Sequence, residues 1–232
     1  MKWLECLKDL LFPRRCEICG RLLPLDWEYM CGDCLEDTPL TYYWDWEGNP
    51  AEKILWVRTH LNRVIPLFFY TRESRYITLI HKIKYRGNTR LGVYMGKMLG
   101  GYVKKVLPDV DIIVPIPLHP RKKWKRGYNQ AEQIAIGIAS ALFGENSRTK
   151  ICTKSLYRKT YTATQTKQSV SDKWKNVEGV FTIKNPHLLE GKHILLIDDV
   201  LTSGATAESA YTAIVKECRD CKVSFASLGY VE

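Results

Sequence analysis

The stretch His193-Ile-Leu-Leu-Ile-Asp-Asp-Val-Leu-Thr-Ser-Gly-Ala-Thr206 decides the fold class of this chain. Its apolar start predicts a buried strand over 193–197, two carboxylates follow, and a Thr/Ser/Gly turn opens a helix predicted over 205–217. The segments 111–117 and 222–229 are similar apolar runs, and helical stretches separate all three. Such runs are typical of parallel strands covered on both faces. The sequence therefore predicts an α/β fold with a mostly parallel central sheet flanked by helices.

Weaker patterns predict the elements around this core. Further strands are expected at 63–70, 154–158 and 179–184, and helices at 74–85, 90–106 and 129–142. Asn129 and Glu132 have the spacing of a capping box at the start of the last of these helices. Residues 38–61 resemble an irregular connector, so we expect a small N-terminal module with its connector at 1–61 and a larger domain at 62–232.

Composition limits the possible functions without choosing among them. The 232 residues are 45% hydrophobic, carry a formal net charge of +10, and have a pI near 9.2. This balance indicates an anionic partner, which can be a phosphate-rich small molecule, a nucleic acid or an acidic protein. Apolar runs are strand-sized, and charges interrupt the first thirteen residues, which favours an amphipathic helix over a secretory signal. We expect a soluble, cytoplasmic protein without a membrane span.

The turn after the central strand has the chemistry of a phosphate cradle. A helix N-terminus offers free N–H groups and a favourable dipole to an anion, and hydroxyl side chains add donors. The predicted phosphate-binding residues are Thr202, Ser203, Gly204, Ala205 and Thr206. Asp198 and Asp199, just before them, suit the vicinal hydroxyls of a sugar and can attract a divalent cation. An acidic strand end before a capped helix explains any two of these features, but not all of them together.

Four cysteines near the N-terminus have the spacing of a metal site. They form two CxxC pairs, Cys16 with Cys19 and Cys31 with Cys34. Four thiolates at this spacing can surround one tetrahedral zinc ion, and a site with four protein ligands is structural because it has no open position. Two disulfides or unligated buried thiols are the alternatives. Cys218 and Cys221 form another CxxC without a second pair nearby, so we interpret them as core or turn residues.

A basic segment and a polar segment are candidates for binding an anion. The basic residues Arg121, Lys122, Lys123 and Arg126 follow the predicted strand that contains Pro115, and they are expected in a loop at its carboxyl end. A solvated charged surface is the alternative. The stretch 157–169, which includes Arg158, has almost no apolar residues, so we expect a mobile lid that an anion orders.

Taken together, these motifs resemble known families. The segment 193–206 resembles the motif of type I phosphoribosyltransferases that binds phosphoribosyl pyrophosphate (PRPP). LIHKIKYRG (79–87), VPIPLHPRKKWKRGYNQA (114–131), the spacing from Arg158 to Gln165 and NVEGVF (176–181) resemble the ComF family of competence proteins. Members of that family join a four-cysteine zinc module to a phosphoribosyltransferase domain. Lys173-Trp174 departs from the pattern, because an Arg is expected there and Lys lacks its bidentate fork.

The resemblance implies a role for each part of the site. The 202–206 turn would hold the 5-phosphate of PRPP, and the loop from Val114 to Lys123 would hold pyrophosphate. In this hypothesis Asp198 and Asp199 hold the ribose hydroxyls. Arg121, Lys122 and Arg158 stabilise pyrophosphate as it leaves through a cationic sugar transition state, with Mg²⁺ neutralising its charge. The sequence reveals no acceptor pocket, so a nucleobase salvage enzyme is one possibility.

Two other classes of function stay open. The ComF resemblance implies a role in natural transformation and DNA uptake, in which the chain handles single-stranded DNA at the inner face of the membrane. The cradle would then sense PRPP or dock a phosphorylated strand end, and Trp124 and Tyr128 would stack on bases between the cations. The same aromatic residues can instead pack against the domain. In the third class, an adaptor uses the zinc module to contact a DNA-uptake helicase or another competence protein.

Overall fold

The chain is built on a four-stranded parallel sheet with helices on both faces. The computed structural model describes residues 13–159 and 179–232. The strands in chain order are β1 (Val64–Phe69), β2 (Ile112–Pro115), β3 (Leu156–Arg158), β4 (Phe181–Ile183), β5 (His193–Leu201) and β6 (Lys222–Tyr230). The main sheet has the order β1-β6-β5-β2 with every pairing parallel, while β3 and β4 form a separate antiparallel pair. This confirms the predicted α/β class and its parallel central sheet.

Helices fill the connections between these strands. They are α1 (Gly32–Glu36), α2 (Pro50–Trp56), α3 (Ile77–Tyr85), α4 (Thr89–Val106), α5 (Pro120–Arg126), α6 (Gln130–Phe143) and α7 (Ala205–Glu217). Short 3₁₀ helices lie at Tyr43–Asp45, Gly144–Lys150 and Pro186–Leu188. The predicted helices α3, α4, α6 and α7 are present within a few residues of their expected ends. Two expectations are wrong: the connector 38–61 contains α2, and the basic segment forms α5 rather than a loop.

Helix α2 is fixed by a capping box that the sequence reading missed. The Asn49 side chain accepts a hydrogen bond from the Glu52 N–H at 2.9 Å, and the Glu52 carboxylate accepts one from the Asn49 N–H at 3.2 Å. Pro50 occupies the first helical turn. The buried Glu52 also accepts a hydrogen bond from Arg63 Nε at 2.8 Å, just before β1. The helix is therefore tied to the start of the sheet.

Two hydrophobic cores lie on opposite faces of the sheet, and successive side chains of β5 alternate between them. Leu195 and Ile197 belong to the core beneath α3, α4 and α6, and Ile194 and Leu196 belong to the core beneath α2 and α7. Successive side chains of a strand point to opposite faces of its sheet. The next two residues on β5, Asp198 and Asp199, therefore start from opposite faces.

Helices α4 and α6 pack with their backbones in contact. A Cβ atom on Gly96 would collide with the Ile134 carbonyl, and one on Gly137 would collide with the Val93 carbonyl. Only glycine allows two helix backbones to approach this closely. This contact fixes where α6 begins, next to the carboxyl end of β2.

The cysteine-containing segment packs on the larger domain through α3 and α4. Tyr76 Oη donates to the Cys34 carbonyl at 2.7 Å, Lys82 Nζ lies 2.7 Å from the Glu17 carboxylate, and the rings of Tyr29 and Tyr94 are 5.0 Å apart. Residues on both sides of position 61 share the cores, and the division into domains at 61 and 62 stays a prediction.

Two further predictions concern the chain's ends and membrane contact. Within residues 13–159 and 179–232, no helix combines the length and apolar character needed to cross a bilayer. The amphipathic helix expected at the N-terminus, Lys173-Trp174 and most of the expected lid lie outside the described residues.

Candidate functional site

Asp199 is a buried carboxylate at the carboxyl end of the sheet. Strand β5 runs to Leu201, beyond the predicted end at 197, so both aspartates lie within the strand. Asp199 Oδ1 lies 2.9 Å from Lys84 Nζ, and Oδ2 accepts a hydrogen bond from Gln130 Nε2 at 2.6 Å. Because each oxygen has a partner, this carboxylate is held in one orientation.

Asp198 has a different environment. It is partly buried, and its Oδ1 accepts a hydrogen bond from the Asp199 N–H at 2.8 Å. Burial and the neighbouring Asp199 carboxylate raise the pKa of Asp198 to about 7, against the opposing effects of that hydrogen bond and of Lys84 and Arg158. No hydrogen bond from any described residue uses Oδ2. Asp198 is therefore the member of the pair with capacity for a ligand.

Lys84 and Gln130 are site residues that the sequence reading did not identify. Burial by itself lowers the pKa of the Lys84 ammonium, but Asp199, assisted by Asp198, outweighs it and raises that pKa. Gln130 Oε1 is buried without a hydrogen-bond partner in the described part of the chain. The available signal for Lys84 was its position beside the buried Ile83 of α3, where a charged side chain needs a partner.

The turn after β5 forms an open helix N-terminus. Residues 202–204 are bends, α7 starts at Ala205, and no side chain caps this helix. Its first-turn N–H groups are therefore available to an anion. The first turn also contains Glu208, whose carboxylate lies 3.6 Å from Arg58 Nη1. The predicted cradle, from Thr202 to Thr206, thus lies directly after the acidic pair.

Gly204 is required by its backbone conformation and by its contact with α2. Its φ of +78° favours glycine, and a Cβ atom there would lie 2.6 Å from Leu55 Cδ2. The space that a Cβ atom would take is filled by Leu55 of α2, so this helix shapes the turn.

The basic residues divide between two sides of α5. Lys122 and Arg126, four residues apart, are partly buried, while Arg121 and Lys123 are exposed. Burial lowers the pKa of the Lys122 ammonium, and the positive charges of Arg158, Arg126 and Lys84 lower it further. Like charges are thus crowded beside the acidic pair.

Arg158 approaches this group of cations from the β3–β4 hairpin. It is partly buried, and its guanidinium lies 5.4 Å from the centre of the Phe181 ring on β4. Burial lowers its pKa, and the charge of Asp198 acts in the opposite direction. Arg158 therefore lies near both Asp198 and Lys122, whereas Arg121 is an exposed residue of α5.

A cleft of about 550 Å³ opens beside the end of β2. The lining is formed by Pro115, Pro117, Leu118, Pro120, Lys123, Trp124, Gly127, Asn129, Glu132, Thr153, Leu156, Tyr157 and Arg158. Asn129 caps α6 by accepting from the Ala131 N–H at 3.2 Å, and its Nδ2 donates to the Ile116 carbonyl at 3.1 Å. The Asn129 side chain accepts from the N–H of Ala131 and not from that of Glu132, so the expected capping box with Glu132 does not form.

The four N-terminal cysteines form one cluster that can hold a metal ion. Their Sγ atoms all lie within 4.8 Å of one another, and those of Cys19 and Cys31 are 3.7 Å apart. Tetrahedral coordination with metal–sulfur bonds near 2.3 Å requires sulfur atoms roughly 3.8 Å apart, so the cluster fits. All four are free thiols, which excludes the disulfide alternative here. Burial opposes ionisation of the Cys16 thiol, but N–H donors from Cys19, Cys31 and Ile18 lower its pKa to about 6.

Comparisons with known proteins identify relatives over most of the chain. "DNA utilization protein YhgH" of Escherichia coli K12 is 25% identical over 197 residues, which is 82% of this chain and 73% of that protein. "Competence protein ComFC" of Bacillus subtilis is 26% identical over 216 residues, or 92% of this chain and 76% of that protein. The YhgH protein of Salmonella typhi is 29% identical over 134 residues, and the alignment spans 55% of this chain and only 56% of that relative.

Family models and solved structures add less. No protein-family model matches the chain. A solved structure described as "structure of the allosteric regulatory enzyme of purine biosynthesis" aligns with 63% of this chain and 30% of its own, at 14% identity and a TM-score of 0.39. That score is too low to carry an argument, and the fold class rests on the parallel sheet itself.

The fold and site define an α/β protein with an acidic strand end, an uncapped helix N-terminus and a four-cysteine cluster. The relatives, at 24–29% identity, support assignment of this chain to the ComF family.

Proposed function

We propose that this chain binds PRPP with Mg²⁺ at the carboxyl end of β5 and acts in DNA uptake during natural competence. The proposal rests on one arrangement: an acidic pair is followed by a turn and then by the uncapped N-terminus of α7, and several cations lie close together beside the acidic pair. An uncapped helix start favours a phosphate monoester, and the cations favour a second, more highly charged group. PRPP carries both groups on one sugar.

Each part of the ligand has a candidate partner. The residues from Thr202 to Thr206 would hold the 5-phosphate. Asp198 Oδ2 and Gln130 Oε1, both without partners in the described chain, would accept from ribose hydroxyls or from water on Mg²⁺. Lys122 and Arg158 would face pyrophosphate, and Arg126 adds charge from the same side of α5. Asp199 acts indirectly, because Lys84 and Gln130 already occupy its oxygens.

This arrangement suits transfer of the ribosyl group. Pyrophosphate would leave C1′ as positive charge develops on the sugar, and fixed charges stabilise such a transition state without reorganisation. Bound Mg²⁺ would supply charge neutralisation for the leaving group. The role of the chain would be to orient the sugar and hold pyrophosphate in the group of cations. If no acceptor is used, the same site would sense PRPP.

Zinc is the ion we propose for the four-cysteine cluster. Four thiolates favour zinc, and a closed set of four protein ligands gives it a structural role. The cluster contacts α3 through Glu17 and Lys82, two residues before Lys84 along the same helix. Zinc would thereby support the helix that positions Lys84.

The biological setting is inferred from the names of the relatives. Proteins called competence protein and DNA utilization protein align with most of this chain. We place the chain in the cytoplasm, at the inner face of the membrane through partners such as a DNA-uptake helicase. Its net charge of +10 suits contact with DNA.

Binding of single-stranded DNA is the second candidate function. Trp124 is 89% exposed on α5 among basic residues, which suits stacking on a base. Tyr128 does not share this role, because its side chain is partly buried and its hydroxyl donates a hydrogen bond to the Ile83 carbonyl. DNA binding through α5 should weaken steeply with ionic strength.

The test of the main proposal is calorimetric titration of the zinc-loaded protein with PRPP and Mg²⁺. We expect micromolar binding that is lost in the Asp198→Asn/Asp199→Asn double variant and kept in Asp220→Asn, an exposed carboxylate just before β6, at the opposite end of the sheet. A titration without heat for the native protein would refute PRPP binding and leave DNA binding as the function to test.

A further inference from the structure

We propose that Cys218 and Cys221 are a dithiol that a small disulfide molecule oxidises to a reversible intramolecular disulfide. The pair lies between the end of α7 and the start of β6, at the opposite end of α7 from the predicted phosphate cradle. Neither the proposed PRPP site nor the four-cysteine cluster includes these residues. This modification site is therefore independent of the proposed function.

A tight turn brings the two cysteines close together. Arg219 and Asp220 form the turn between them, and Asp220 has a positive φ of 54°. The first and last Cα atoms of a four-residue turn lie less than about 7 Å apart. Disulfides join cysteines whose Cα atoms are roughly 4.4–6.8 Å apart, so bridging this pair needs little movement of the backbone.

Both side chains face the same short segment, which contains the 3₁₀ helix Pro186–Leu188. Cys218 Sγ lies 3.8 Å from the Pro186 carbonyl oxygen, and Cys221 Sγ donates to the Leu189 carbonyl at 3.1 Å. The two thiols also form a hydrogen bond with each other. Cysteines whose side chains point apart cannot be bridged, whereas these two sulfur atoms are neighbours.

The two thiols differ in their access to solvent. Cys221 is partly exposed, and Cys218 is buried. A cleft of about 520 Å³ opens over the turn and is lined by residues 215–221. Its lining has two cations and two anions, which are Lys216, Arg219, Glu217 and Asp220. Such a mixed surface is complementary to a small disulfide that carries both ammonium and carboxylate groups.

The surroundings do not stabilise either thiolate. Burial, together with the charges of Cys221 and Glu190, raises the pKa of Cys218 to about 12. Burial also raises the pKa of Cys221, although N–H groups of Lys192 and Gly191 act in the opposite direction. A dithiol whose thiolate is stabilised favours the reduced form, and this pair lacks that stabilisation. The exchange is therefore slow at neutral pH, and the disulfide persists once it has formed.

The exchange balances with the small disulfide as the oxidant. The Cys221 thiolate attacks one sulfur of the small disulfide, whose S–S bond breaks and releases one thiol. The Cys218 thiolate then attacks Cys221 Sγ, which forms the protein disulfide and releases the second thiol. The two cysteines lose two electrons and two protons, and the small disulfide gains them as it becomes two thiols.

The experiment treats the zinc-loaded full chain with excess oxidised glutathione, blocks the remaining thiols with iodoacetamide and digests the protein with trypsin without a reductant. Cleavage after Lys216, Arg219 and Lys222 places the two cysteines in separate peptides, 217–219 and 220–222. We expect mass spectrometry to find these peptides joined, at their summed mass less two hydrogen atoms, and to find them separate after treatment with dithiothreitol. The rate should rise roughly 10-fold per pH unit between about pH 7 and 9, because the reacting thiolate is scarce there.

Single variants test the order of attack. Cys218→Ser should keep glutathione bound to Cys221, because no second thiol displaces it. Cys221→Ser should leave the buried Cys218 unmodified. Cys152→Ser, which removes a buried cysteine of another segment, is the matched control and should form the joined peptides as the native chain does. The zinc content, measured by elemental analysis, should stay the same throughout, since the four-cysteine cluster does not take part.

Native protein that yields only separate peptides, or a bond from either cysteine to a cysteine elsewhere, would overturn the inference. Glutathione bound to Cys218 in the Cys221→Ser variant would do the same, because the partly exposed thiol would then not be the first to react. None of these outcomes bears on PRPP binding, which the calorimetric titration tests separately.

Discussion

Replacing Asp198 by Asn is expected to stabilise the protein while removing part of its site. Burial and the Asp199 charge raise the pKa of Asp198 from an ordinary 3.8 to about 7, so ionisation of this carboxyl opposes folding. Asparagine has the same shape, carries no charge and can still accept a hydrogen bond from the Asp199 N–H. The variant should therefore be more stable than the native protein in the absence of PRPP and Mg²⁺.

The size of this effect depends on pH in a defined direction. Below pH 3.8 the carboxyl is protonated in both folded and unfolded chains, and the native stability is not reduced. As pH rises towards 7, the unfolded chain releases this proton and the folded chain keeps it, so the free energy of unfolding falls relative to the variant. At about 1.4 kcal/mol per pKa unit, the variant's advantage is on the order of 2 kcal/mol at pH 5 and 4 kcal/mol at pH 8.

Urea unfolding of zinc-loaded protein at pH 5, 6, 7 and 8 measures this difference. Asp220→Asn is the control, because Asp220 is exposed and both residue types tolerate its positive φ of 54°. A gap that does not grow with pH, or an Asp198→Asn variant less stable than the native protein, would refute the electrostatic argument. The control should unfold as the native protein does at every pH.

Three further predictions test the parts that position the site. Gly96→Ala should lower the free energy of unfolding by about 1–3 kcal/mol, because a Cβ meets the backbone of α6, whereas Gly101→Ala on the open side of α4 should not; equal urea midpoints would contradict this. Lys84→Met should lower the free energy of unfolding by about 3–5 kcal/mol in the same assay, because the buried Asp199 loses its cation. An unchanged urea midpoint at pH 7 would show that the ion pair is dispensable. Cys34→Ser should abolish the bound metal in elemental analysis and lower the Tm, while Cys152→Ser keeps the metal; metal retained in Cys34→Ser would argue against four-thiolate coordination.

Much of the fold could be predicted because its signals are local. The apolar run before Asp198 predicted a buried strand, and the turn residues after it predicted the start of α7. The two CxxC pairs predicted a cluster whose sulfur atoms do come together. In each case residues within one short segment determine both the conformation and the chemistry.

Two helices were not predicted, although the residues that cap them are local. The basic segment was expected in a loop, yet His119 accepts a hydrogen bond from the Arg121 N–H at 3.2 Å and α5 forms. This cap lies two residues from its donor, at the start of the basic segment. Helix α2 was hidden in a stretch that seemed irregular, although its Asn49 cap is itself a local signal that we overlooked.

The sequence by itself determined the α/β class, the four-cysteine cluster and the order of acid pair, turn and helix, because spacing and periodicity act over a few neighbouring residues. Only the tertiary structure decided that Lys84 and Gln130 hold Asp199 and that Leu55 fills the space beside Gly204. These partners come from separate helices, and packing at the edge of the sheet brings them together. No pattern along the chain encodes which of the two aspartates is held and which has capacity for a ligand.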